Sequence, residues 1–167
     1  MRIRYWLAAG IPLLAACSTM NVTTAKDPTA DLSKYRTYAW APEPKTPSGE
    51  VLPKSIMDQT VKANVEKNLV SKNLVPVTPG EQPDLLIAYA AITRNAASYS
   101  SHYGYYGEVY REPYIYRQGA LTLEFIDPKN NKVVWQGTAS DAVNDAGADQ
   151  KQITQAVNKI LSEFPTV

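Results

Sequence analysis

The chain's only histidine, His102, directly follows Ser100 and Ser101. An imidazole beside a hydroxyl is the raw material of nucleophilic catalysis, but such a site needs its base held against its nucleophile by surrounding structure. Here the three residues are chain neighbours in a stretch rich in Ser, Gly and Tyr, so no catalytic role is expected for them. A structural or catalytic zinc site needs three or four Cys, His or acidic ligands, and the chain has one cysteine and one histidine. The run Gly104-Tyr105-Tyr106-Gly107 lacks the strand-to-helix setting of a phosphate-cradling loop. The carboxylates Asp141, Asp145 and Asp149 recur every fourth residue and would share one face of a helix. Ala146-Gly147 between them favours a solvated loop, with Asp149 placed to cap a helix. Asp84 follows Pro83 and reads as a turn or cap at the start of a strand, although an exposed acid there could bind a ligand. No catalytic, cofactor-binding or metal residue is therefore assigned, and no cofactor is expected. A hydrolase acting on an envelope polymer through such carboxylates is kept as the alternative.

The one reactive side chain with a clear context is Cys17. Arg2 and Arg4 make a basic start, Tyr5 to Leu14 an apolar run, and Leu14-Ala15-Ala16 leads into the cysteine. A charged start, a short apolar core and small residues at the cut mark a secretory leader. The run is shorter than the roughly 20 residues that a membrane-spanning helix needs. Leu-Ala-Ala-Cys resembles the lipobox of bacterial lipoproteins. That resemblance implies cleavage after Ala16, a diacylglyceryl group on the Cys17 sulfur and an acyl group on the new amine. Each buried methylene contributes about 0.8 kcal/mol, so several chains together give stable anchoring. Aspartate after the cysteine usually retains Gram-negative lipoproteins in the inner membrane. Ser18 stands there instead, which implies a lipid anchor in the outer membrane, facing the periplasm.

Seven of the 11 tyrosines fall in one segment, residues 95–117. They are Tyr99, Tyr103, Tyr105, Tyr106, Tyr110, Tyr114 and Tyr116. Tyrosine combines a large apolar ring, few rotatable bonds and a hydroxyl, which suits recognition of a protein or glycan. These seven are the candidate partner-binding residues. The other reading is an extended pair of strands with a mobile, low-complexity tip and no partner of its own.

Removal of residues 1–16 leaves 151 of the 167 residues, enough for one domain with a real core. The mature chain carries 15 basic and 16 acidic residues, so nothing suggests nucleic acid. Residues 17–31 read as a lipidated cysteine and tether, with room for one short strand near Val22. Residues 32–167 read as a single domain. Aromatics and Thr over 33–40 suit a strand, and four prolines between Ala41 and Pro53 make a loop. Pro53 suits the first turn of a helix. Met57, Val61, Val65 and Leu69, with Ile56 and Val70 beside them, carry that helix to about Lys72. Leu74 to Val77 is a short strand. Asp84 to Arg94 is apolar on both alternating faces, as in a covered central strand. Residues 118–127 and 133–139 make a hairpin across Asp127–Lys132. Ile153, Val157, Ile160, Leu161 and Phe164 mark a second amphipathic helix, which Pro165 ends. The expected fold is α+β: an antiparallel or mixed sheet of four to five strands, with both helices on one face.

Four motifs in this order resemble a bacterial lipoprotein family of unknown function, DUF4136. They are Tyr35-Arg-Thr-Tyr-Ala-Trp40, Pro83-Asp-Leu-Leu-Ile-Ala-Tyr89, Gly119-Ala-Leu-Thr-Leu-Glu-Phe-Ile-Asp127 and Val134-Trp-Gln-Gly-Thr138. The resemblance covers roughly residues 20–165. It implies envelope location and this architecture, and it brings no catalytic residues. The tyrosine-rich insertion departs from it. The function expected is a non-enzymatic, membrane-anchored binding or assembly module.

Overall fold

The computed structural model describes residues 20–42, 55–78, 80–103, 109–144 and 147–166. Cys17, the leader and Pro53 lie outside the described residues, as do Tyr105, Tyr106 and Asp145.

The chain forms β1 (Asn21–Lys26), a short 3-10 turn (Leu32–Lys34), β2 (Thr37–Trp40), α1 (Ile56–Val70), β3 (Val75–Pro76), β4 (Leu85–Tyr103), β5 (Val109–Asp127), β6 (Lys132–Ala142) and α2 (Gln150–Ser162). The six strands make one sheet in the order β1-β6-β5-β4-β2-β3. The α+β class is as expected, but the sheet has six strands where four to five were expected. It is also mixed, because β2 runs parallel to both β3 and β4. The sixth strand is β1, the short strand allowed for near Val22; it takes residues 21–26 out of the segment read as a tether and pairs them with β6.

Each helix starts on a side-chain cap. Ser55 accepts from the Asp58 backbone N–H, and α1 runs from Ile56. Asp149 and Gln152 form a reciprocal capping box at the start of α2. The buried stripe of α1 is narrow: Val61, Val65 and Leu69 are inside, whereas Ile56 and Val70 are largely exposed. The flank towards α2 is polar. Asn64 donates to the Thr154 hydroxyl at 3.3 Å, and Asn68 donates to the Asn158 side chain at 2.8 Å.

Both helices cover the same sheet face. Strand alternation brings Leu85 and Ile87 of β4 to this face, with Leu121, Leu123 and Phe125 of β5 on the same face and Phe125 directly opposite Ile87. A bulge in β6 opposite Phe125 and Ile126 lets two successive residues, Val134 and Trp135, both be buried. Phe125, Trp135 and Phe164 form the densest part of the core. Phe164 stacks on Phe125 at 4.4 Å between centroids and meets Trp135 edge-on at 5.0 Å. The Trp-x-Gly spacing has its cause here: the Trp135 ring lies over Gly137, leaving no space for a side chain there. On the opposite sheet face the Thr122 and Thr138 hydroxyls lie 2.9 Å apart.

Candidate interaction surface

The feature that dominates the surface comes from β4 and β5, which are 19 residues each and pair without interruption from Leu86↔Ile126 to Tyr103↔Val109. Only the first half of β4 and the second half of β5 belong to the wider sheet. Strand β2 ends its pairing with β4 at Ile87, and β6 ends its pairing with β5 at Gln118. Beyond Arg94 and Gln118, nine residues of each strand continue as a two-stranded ribbon, roughly 30 Å long at strand rise. Arg94 marks its root, donating two hydrogen bonds to the Gln118 side-chain oxygen at 3.0 and 3.2 Å. The insertion is therefore an extended pair of strands, as one of the two sequence readings had it.

The tyrosines do not form a single patch. Cross-strand partners share a face, so Tyr114 and Tyr116 lie with Ser98 and Ala96 on the face turned away from the helices. Their rings sit 6.0 Å apart. Tyr99, opposite Pro113, lies on the other face with Ile115. Tyr103 and Tyr110 occupy the last paired positions, opposite Val109 and His102. Exposure is high: 68% for Tyr99, 50% for Tyr114 and 76% for Ile115, with Ile92 and Val109 also more than half exposed. Strand β4 brings mostly Ala and Ser to the ribbon, whereas β5 brings the bulk. Alternation also separates Ser101 from His102, because consecutive strand residues face opposite ways.

Where the ribbon leaves the sheet there is a cleft of about 340 Å³. Met20, Ala91, Gly119, Leu121, Ile153 and Ala156 contribute its apolar lining, and Asp141 and Gln152 lie at its polar side. Asp141 is thus on β6 and Asp149 is a helix cap, so the four-residue spacing of these acids does not put them on one helical face.

Asp84 has a local structural role. Its Oδ2 accepts from the backbone N–H groups of Arg36 and Thr37 at 2.9 and 3.0 Å, and from the Thr37 hydroxyl at 3.0 Å. The Asp84 N–H donates back to the Thr37 oxygen at 3.0 Å. These bonds fasten the parallel β2 to β4 and account for the Pro-Asp motif. Asp84 and Asp141 stand about nine strand residues apart, roughly 30 Å, too far to act as paired acids. Among the described residues no group of three Cys, His, Asp or Glu side chains could hold a metal ion.

The Arg36 N–H, more than any other group, holds the Asp84 carboxyl below the usual carboxylate range. Lys132 first, then Thr29, lowers Asp27 to about 2. A carboxyl depressed by folding stabilises the folded state above its unfolded pKa and loses that contribution as pH falls through the folded value. Thermal stability should therefore decline from about pH 5 down to about pH 2. In Asp84→Asn the protein should melt lower at neutral pH and show a shallower acid decline. Parallel acid profiles for the two proteins would contradict this.

A polar network on α1 escaped the sequence reading. Asp58 is buried, and its Oδ1 accepts from the Tyr89 hydroxyl at 2.9 Å and pairs with Lys62 at 3.0 Å. The Lys62 ammonium lies 5.7 Å from the centre of the Trp40 ring, and the Trp40 indole N–H donates to Glu66 at 3.0 Å. Asp58, Lys62 and Glu66 stand at i, i+4 and i+8 on α1, a spacing that the sequence reading did not use.

Among solved structures the fold is similar to a PDZ domain protein from Parabacteroides distasonis, with TM-score 0.60 and 14% identity. The match covers 89% of this chain and only 36% of that longer protein. It is also similar to a DUF4136 family protein from Bacteroides thetaiotaomicron, with TM-score 0.55 and 17% identity, over 87% of this chain and 96% of that one. A PelC dodecamer from Paraburkholderia phytofirmans matches at TM-score 0.45 and 16% identity, over 86% of this chain and 95% of that chain. At these identities the first two likenesses speak for the fold alone. No curated protein matches the chain. The family model described as a domain of unknown function, DUF4136, matches residues 22–166, and the chain belongs to that family.

Proposed function

We propose that this protein is an outer-membrane lipoprotein, held by the lipid on Cys17 and facing the periplasm, whose domain is a non-enzymatic binding or assembly module. The observation that carries the reading is the ribbon. Soluble proteins rarely leave several large apolar side chains exposed together unless the surface makes contacts. Here Tyr99, Ile115 and Val109 are exposed on one face, and Tyr114 on the other, of an element that adds nothing to the core. The leader and lipobox supply the location. A hydrolase working through Asp84 or Asp141 has less support, since the first is engaged with β2 and the second lies at the other end of the sheet.

Photo-crosslinking residues at Tyr99 and Tyr114 in cells should capture an envelope component that the same group at Val133, beside the β5–β6 turn, does not. The processed protein should begin at Cys17 with acyl mass attached, and Cys17→Ser should move it to the soluble fraction. An unmodified thiol on a mature chain, or equal capture at all three positions, would count against the proposal.

A further inference from the structure

We infer that the β4–β5 ribbon is a second membrane-contacting element, lying along the phospholipid headgroup region beside the lipid anchor. This deepens the lipoprotein reading above and rests on it. The starting observation is where the chain enters the fold. Asn21 pairs with Ser140, Ser140 with Ala120, and Ala120 with Ile92, so these four residues form one line across the sheet. Strand β1 thus begins level with Ile92, two residues before the ribbon root at Arg94. Met20 lines the cleft at that same root.

Cys17 precedes Asn21 by four residues, which reach at most about 14 Å when fully extended. The ribbon runs roughly 30 Å from the same end of the sheet. With this end of the sheet towards the bilayer, a ribbon longer than its neighbouring tether meets the surface in which the tether ends. A lipid on Cys17 therefore holds the ribbon against the bilayer.

The composition suits that place. Residues 95–117 contain Arg111, Arg117, Glu108 and Glu112, a net charge of zero with His102 neutral, so attraction to an anionic surface is not what seats them. Tyrosine is the residue that favours the boundary between water and hydrocarbon, its ring in the apolar side and its hydroxyl in the wet one. Full insertion is disfavoured by the backbone. Among the described residues the ribbon has no strand beside either outer edge, and unpaired N–H and C=O groups are not tolerated in hydrocarbon. The headgroup layer can hydrogen-bond those edges and still receive the Tyr99 and Ile115 side chains.

The test uses the full lipidated protein, extracted from cells and reconstituted into phosphatidylcholine vesicles. Ile115→Trp places a reporter at an exposed site that the core does not use. Val133→Trp places one at the opposite end of the sheet. After subtraction of the unsubstituted protein, the reporter at 115 should emit at shorter wavelength than in detergent-free lipid-less protein. It should lose most of its emission to lipids brominated near the glycerol, and less to lipids brominated at the chain ends. The reporter at 133 should be unaffected, and salt should change neither. Intact mass is measured on the same sample. Lipid on Cys17 with no quenching at 115, or with stronger quenching from the chain ends, overturns the inference and leaves the lipoprotein reading standing. An unmodified Cys17 overturns both.

Discussion

Phe164→Ala should cost about 3–5 kcal/mol of folding stability, the range for truncating a buried aromatic. Phe164 is 1% exposed although it lies past the end of α2, in the last turn of chain before Pro165. Its ring fills the space between Phe125 and Trp135, stacked on the first and edge-on to the second. Removing it leaves a cavity walled by two aromatics and a β-sheet, which cannot collapse inwards without moving strands. Urea denaturation should show a lower midpoint with an unchanged slope. A midpoint within experimental error of the parent would mean that the carboxy-terminal segment does not close this core.

Gly137→Ala should destabilise by overfilling the same region. A Cβ at Gly137 would fall 2.5 Å from the Ile160 methyl and 2.5 Å from the Trp135 ring. Neither neighbour is the free end of a flexible side chain. Ile160 is fully buried on α2, and Trp135 is held between Phe125 and Phe164. Forcing a methyl group into a packed core typically costs about 1–3 kcal/mol. The near-ultraviolet circular dichroism of Trp135 should change with it, because relief requires the indole to tilt. Alanine at Gly80, whose added Cβ meets nothing within 4 Å, is the comparison. Gly80 has φ +95, so a loss there reports backbone strain instead of crowding and should leave the tryptophan signal unchanged.

The elements that announced themselves in the sequence are those that make their own pattern. Helix α2 carries Ile153, Val157, Ile160 and Leu161 on one side and a capping residue in front, and both features survive in the fold. The β5–β6 hairpin has strict alternation on one strand and a turn rich in Asn and Lys between. What was not legible depends on partners far away in the chain. The short strand read at Leu74 to Val77 is present as β3, but its parallel pairing with β2 is set by the partner strand. The outer half of β4 lacks alternation because neither of its faces meets a core, so for Asn95 to Tyr103 the sequence left open both a contact surface and an extended pair of strands. Its conformation comes from hydrogen bonding to β5. Asp58 carried no signal in the sequence, because its partner Tyr89 comes from another element. The tyrosines were found by composition, while their division between two faces follows from register, which composition does not encode.

The pairing of β1 with β6 has a kinetic consequence. Asn21 and Ser140 are roughly 120 residues apart along the chain, so this edge is among the last contacts that can form. For a polypeptide delivered amino end first, the segment just after its beginning has no strand to dock on until nearly everything else has emerged. It stays extended and open to enzymes during that interval. Closing the sheet then withdraws it, so the time for which residues 21–26 stay reachable is set by completion of the fold.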